Sequence, residues 1–177
     1  DIVEAHKQLV SKMAEQNELV GDLIPYSDSN FSHFWKMESG TERIYAGVSL
    51  ASLSGKARGD AIEGIVRSFV ELGHAVYDAP GSKCVNGSNR GANSTTCDFL
   101  AKAEDEEVKR VEVKSCMMVW DKSQSCFKLH FAAVKQHLYD VLYLAWMTPR
   151  GIHIFQHDGK ARVSTHGKDT EARGKQI

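Results

Sequence analysis

Two carboxylates and a lysine at fixed spacing constrain this chain more than any other feature. Asp98 stands in Ser94-Thr95-Thr96-Cys97-Asp98-Phe99-Leu100, and Glu112 and Lys114 stand in Val111-Glu112-Val113-Lys114-Ser115. Between the two segments lies Glu104-Asp105-Glu106-Glu107, a polar turn. Residues two apart on a strand project from the same face, so Glu112 and Lys114 share one. A hairpin of residues 94–101 and 108–116, centred near Asp105, puts Asp98 directly opposite Glu112. Three charged groups then converge on a sheet whose other positions, Cys97, Phe99, Val111 and Val113, are apolar. Unpaired buried charge is destabilising by several kcal/mol, on the order of the whole stability of a small domain. Two carboxylates and an ammonium in such a place point to a divalent-metal site built for phosphate chemistry.

The surrounding pattern supplies the elements in order. Residues 2–20 read as an amphipathic helix, with Leu9, Val10, Met13, Leu19 and Val20 near helical spacing and Gly21 as its stop. Residues 25–42 read as loop with some helix, and Phe31, Phe34 and Trp35 there as packing groups rather than base-stacking ones. A second helix is expected from Gly59 to Leu72, with Asp60 near its start and Gly73 at its end. Glu63 lies beside its apolar stripe. Residues 74–79 form a short strand, followed by a glycine-, serine- and asparagine-rich loop from Pro80 to Asn93 whose charges are Lys83 and Arg90. After the Glu112 strand, Cys126 to His130 continues the sheet, and Phe131 to Tyr139, with Lys135, Gln136 and His137, reads as a helix. Asp140 to Met147 is nearly continuous in apolar residues, the signature of a strand covered on both faces. Ile152 to Phe155 reads as a further strand. From Lys160 onward, five cations against Asp169 and Glu171 make the tail locally basic.

This ordered set resembles the PD-(D/E)xK nuclease superfamily, which includes type II restriction endonucleases. The likeness runs over about residues 58–158: a helix carrying Glu63, a strand, the hairpin with Asp98 and Glu112-x-Lys114, a further helix, and the apolar strand Val141-Leu142-Tyr143-Leu144-Ala145-Trp146. Cys97 departs from the pattern, standing where the family often has proline. The resemblance implies an α/β fold with a restriction-endonuclease-like mixed central sheet flanked by helices. Residues 1–50 would be an N-terminal helical and loop extension packed on the core, and residues 51–177 the nuclease core with its basic tail.

It also implies a Mg²⁺-dependent endonuclease acting on double-stranded DNA, as a homodimer, with Mn²⁺ able to substitute. Asp98, Glu112 and the Val113 carbonyl would hold the cation, which activates water and neutralises the leaving oxygen. Lys114 would orient the water or stabilise charge on the phosphate, and Glu63 would help hold metal or water. Lys83 and Arg90 in the loop, with Ser115 and Gln136, are the expected DNA contacts. Viral cap-snatching endonucleases of this fold use a histidine on the early helix. Here that helix offers Glu63, with His74 beyond its end, which favours DNA over RNA. A repair or recombination nuclease, a non-catalytic binding module and a merely salt-bridged hairpin are the other readings.

Bulk properties are compatible with all of these. The chain has 177 residues, 42% apolar and 25% charged, with a formal net charge of −1. That is one ordinary globular domain, neither histone-like nor acidic and solvating. No apolar run approaches the roughly 20 residues that span a bilayer, and no signal-peptide core is expected at the amino terminus. The four cysteines, Cys84, Cys97, Cys116 and Cys126, form no C-x-x-C pair. A reducing intracellular setting is therefore expected over disulfides or zinc.

Overall fold

The computed structural model describes residues 2–15, 17–25, 45, 47–80, 96–121, 123–124 and 126–157. They form a mixed α/β fold around a six-stranded sheet in the order β1-β8-β7-β4-β3-β2. The strands are β1 (Asn17–Pro25), β2 (Ala75–Asp78), β3 (Phe99–Lys102), β4 (Lys109–Met117), β7 (Val141–Thr148) and β8 (Gly151–His157). All neighbours are antiparallel except β4 and β7. A separate hairpin pairs β5 (Val119–Asp121) with β6 (Cys126–Lys128). The helices are α1 (Ile2–Ala14), the single turn α2 (Ser49–Ser52) and α3 (Gly55–Val70). No helix among the described residues is long and apolar enough to cross a membrane.

Helix α3 starts four residues earlier than its apolar stripe suggests, because the Ser54 hydroxyl accepts the Ala57 N–H at 3.3 Å and caps it. Asp60 is thus well inside the helix. Ile62, Val66 and Val70 are buried in the core. Arg67 shows which side of the sheet the helix covers. Its guanidinium lies 5.9 Å from the centre of the Phe99 ring and bonds Asp78 at 2.6 Å. The α3 side is therefore the face of Phe99, Ala101 and Val111, all buried. Strand β7 is buried on both faces from Leu142 to Thr148, as its continuous apolar run requires.

The expected helix 2–20 is corrected by the structure. It ends at Ala14, and Asn17 opens the edge strand β1. The Asn17 side-chain amide donates to the Met13 carbonyl at 3.3 Å, closing the helix, while its oxygen meets His157 Nδ1 at 3.0 Å. Gly21 is consequently not a helix stop but a point of close packing inside the sheet. A Cβ there would stand 3.1 Å from Ile154 Cβ and 3.3 Å from Phe69 Cε2. Gly21→Ala should lower stability by roughly 1–3 kcal/mol, the usual result of overpacking, read as a lower urea midpoint at unchanged slope.

The route from β4 to its parallel neighbour β7 also differs from expectation. Cys126 to Lys128 belongs to the small β5–β6 sheet rather than to the main one. Phe131 to Tyr139 is not a helix; it contains only the 3-10 turn Gln136–Leu138. Ala133 sits at φ 59°, a left-handed conformation that ends any α-helix there. Phe131 and Val134 are nevertheless buried, so the segment covers the core without helical geometry. Tyr45 joins the far ends of both strands. Its hydroxyl donates to the Met147 carbonyl at 2.8 Å and accepts the Met118 N–H at 3.1 Å.

Candidate metal centre

The β3–β4 hairpin has the register that places the acidic pair together. Phe99 pairs with Val111, Leu100 with Arg110 and Ala101 with Lys109, and Asp98 stands immediately before the first of these pairs. Asp105 takes φ 60° in the turn at its centre. Asp98 lies just before β3. Its N–H donates to the Val111 carbonyl at 2.9 Å, and its carboxylate Oδ2 accepts the Val113 N–H at 2.7 Å. The side chain thus takes over as acceptor where the backbone ladder of β3 runs out. Within a strand, the N–H and C=O of one residue face the same edge, so the Val113 carbonyl also faces the Asp98 side.

Asp98 and Glu112 are each only 7% exposed. Glu112 Oε1 bonds Lys114 Nζ at 2.6 Å. Glu112 Oε2 is buried and has no hydrogen-bond partner among the described residues. A buried carboxylate oxygen left in this state is destabilising unless something compensates its charge. A hard cation would suit such oxygen donors, and the Glu112 and Asp98 carboxylates with the Val113 carbonyl are the groups that could hold one. Cys116 occupies the same face of β4, two residues beyond Lys114. Burial pushes its thiol up to about 12, against a smaller opposing effect from the His130 backbone, so it stays protonated at neutral pH in the metal-free protein.

The crossover walls this face. Tyr139 is half-buried, and its hydroxyl is pushed up to about 12, chiefly by desolvation and then by the Glu112 charge. Sequence periodicity hides Tyr139, because it assigns the residue to the end of a helix that does not form. The wall is held by a clamp at the next residue. Arg110 donates to both Asp140 oxygens, at 2.8 and 3.1 Å, and to the His137 carbonyl at 3.3 Å, while Asp140 Oδ2 also accepts the Arg110 N–H at 2.8 Å.

These Arg110 hydrogen bonds hold the Asp140 carboxyl at about 2, below its ordinary 3.8. A depressed carboxyl contributes stability that is complete above its unfolded value and lost as pH falls through the folded one. Asp140→Asn should therefore flatten the fall in stability between about pH 4 and pH 2, measured as urea midpoints across that range. An unchanged slope would mean that the clamp does not bear on folding.

The remaining expected site residues separate. Glu63 is half-buried on α3, next to Ile62, which is buried in the core. Among the described residues no group of three His, Cys, Asp or Glu side chains that could hold a metal is found. Ser115 pairs with Ala145 and alternates to the face opposite Lys114. Gln136 is exposed on the 3-10 turn. Lys83 and Arg90 lie outside the described residues. Cys97, Cys116 and Cys126 form no disulfide among the described residues. No protein-family model, curated protein or solved structure matches this chain.

Proposed function

We propose that Asp98, Glu112 and Lys114 form the centre of a Mg²⁺-dependent endonuclease that hydrolyses DNA phosphodiester bonds, on a restriction-endonuclease-like core. The observation that carries this reading is the buried Glu112 Oε2, partnerless among the described residues, beside a second buried carboxylate and an ammonium. A stability-driven sheet interior would place an apolar group there. When bound, Mg²⁺ would supply a nucleophilic water and neutralise the leaving oxygen. Glu112, Asp98 and the Val113 carbonyl would hold it. Lys114 is a point charge paired with Glu112, with its side chain 21% exposed. It would pass from Glu112 toward the phosphate and stabilise charge developing there. Asp98 has a second task, since its bond to Val113 fixes β4 against the entry of β3.

A homodimer cutting both strands of a duplex accords with this reading by symmetry alone. Lys83 and Arg90 remain the proposed backbone contacts. Incubation with Mg²⁺ and supercoiled plasmid tests the whole. Discrete fragments indicate a sequence-specific enzyme and smearing a nonspecific or repair nuclease. Intact plasmid with either Mg²⁺ or Mn²⁺ would remove the nuclease reading.

A further inference from the structure

Strand β4 carries Glu112 between two neighbours, β3 and β7, and the residue just before each neighbour is an aspartate. Asp98 precedes β3 and Asp140 precedes β7. The two make the same pair of contacts. Each donates its own N–H to a β4 carbonyl at 2.9 Å, Asp98 to Val111 and Asp140 to Arg110. Each then accepts a β4 N–H on Oδ2, Asp98 from Val113 at 2.7 Å and Asp140 from Arg110 at 2.8 Å. The short aspartate side chain brings an oxygen close to its own backbone, so it can stand in for a ladder carbonyl where the neighbouring strand has not yet begun. Strand β4 is thus fastened on both edges. Glu112 lies between the fastened residues, two after Arg110 and one before Val113.

Glu112 depends on that hold. Lys114 pairs with its Oε1, and its buried Oε2 has no partner among the described residues. The backbone on either side therefore largely decides where Oε2 stands. Asp140 reaches the site by a second route. The residue before it, Tyr139, is half-buried, and desolvation followed by the Glu112 charge raises its hydroxyl. The Arg110 guanidinium braces the arrangement, donating to both Asp140 oxygens and to the His137 carbonyl.

We infer that Asp140 is a positioning residue of the metal centre: its carboxylate, through the Arg110 N–H, holds the β4 backbone so that Glu112 presents Oε2 to the cation. This rests on the proposed metal centre and adds to it a residue whose loss is felt as metal affinity. The Arg110–Asp140 ion pair is not itself the device. Its side chains are 47% and 41% exposed, where water and salt screen the charges. The backbone contact needs only an acceptor oxygen at position 140, and that makes a particular pattern of variants diagnostic.

The test is isothermal titration of Mn²⁺ into metal-free wild type, Asp140→Ala, Asp140→Asn and Arg110→Ala. Asp140→Ala removes the acceptor and should weaken Mn²⁺ binding by about 10–100-fold, the range for lost support of a metal ligand. Asp140→Asn keeps an oxygen for the Arg110 N–H, and Arg110→Ala keeps the N–H itself, so both should bind Mn²⁺ almost as wild type does. Wild-type affinity in Asp140→Ala, with only its urea midpoint lowered, would make Asp140 a purely structural residue and overturn the inference. A loss of about 10-fold or more in Asp140→Asn or Arg110→Ala would also overturn it, because the ion pair would then be what matters. That second result does not depend on Asp140→Ala folding. The wild-type titration separates the two failures. Mn²⁺ binding that is unchanged in Asp140→Ala removes only the positioning role, whereas absent binding in wild type removes the metal centre itself.

Discussion

Lys114→Ala is expected to lower Mg²⁺-dependent cleavage by about 10²–10³-fold, the usual result of removing one group that stabilises transition-state charge. It should also destabilise the metal-free protein. Lys114 Nζ is 2.6 Å from Glu112 Oε1, and the other oxygen of Glu112 already has no partner among the described residues. Deleting the ammonium leaves a nine-tenths buried carboxylate with neither oxygen compensated. Breaking a buried pair in this way costs about 3–5 kcal/mol, and the partial exposure of Lys114 places the expected loss at the lower end. Two companion measurements distinguish this from ordinary loss of packing. Mn²⁺ should restore much of the lost thermal stability, since a ligand that binds only the folded state stabilises it. Adding Glu112→Gln should restore stability without metal, because the uncompensated charge is then gone. If the double variant is as unstable as Lys114→Ala, the lysine contributes through its aliphatic stem and not through charge.

Asp98→Asn separates the two tasks of that residue. Asparagine keeps a carbonyl oxygen that can accept the Val113 N–H, a bond of 2.7 Å in the native protein, so the hairpin should fold with little change in urea midpoint. What it gives up is the negative charge that holds a hard cation. Mutating groups that merely support a metal ligand already weakens binding by about 10–100-fold, so losing a carboxylate ligand should exceed about 100-fold and stop cleavage at millimolar Mg²⁺. Asp98→Ala removes the acceptor as well and should be distinctly less stable than Asp98→Asn. Metal affinity and cleavage close to wild type in Asp98→Asn would leave Asp98 as a strand-end acceptor and nothing more.

The hairpin between Asp98 and Glu112 was legible in the sequence because register is arithmetic. A turn centred on Asp105 pairs positions whose numbers sum to 210, and Phe99↔Val111 obeys it. The two-sided burial of β7 was legible for a similar reason, since a run from Val141 to Met147 without a charged position has no face to offer water. Strand β1 was not. Leu19 and Val20 extend the apolar spacing of α1, and the boundary is set by Asn17, whose amide donates to Met13 and whose oxygen meets His157, distant in sequence. The crossover failed for another reason. Phe131, Val134 and Leu138 repeat at helical spacing, but burial of Phe131 and Val134 against the sheet is achieved in extended and 3-10 backbone, with Ala133 in a left-handed turn. Tertiary packing overrode the local pattern there. With the helix went the expected roles of its residues, and Tyr139 emerged beside Glu112 instead of Gln136.

Isothermal titration of Mn²⁺ into metal-free wild type and Glu112→Gln bears most directly on whether this buried carboxylate awaits a cation. The amide oxygen of that variant can still accept from Lys114, so the fold is expected to survive and any difference reports the charge. The predicted result is a saturable binding isotherm for wild type that disappears in Glu112→Gln, with a Mn²⁺-dependent rise in melting temperature lost in parallel. Equal isotherms for the two proteins, or none for wild type, would contradict a metal centre at Asp98 and Glu112.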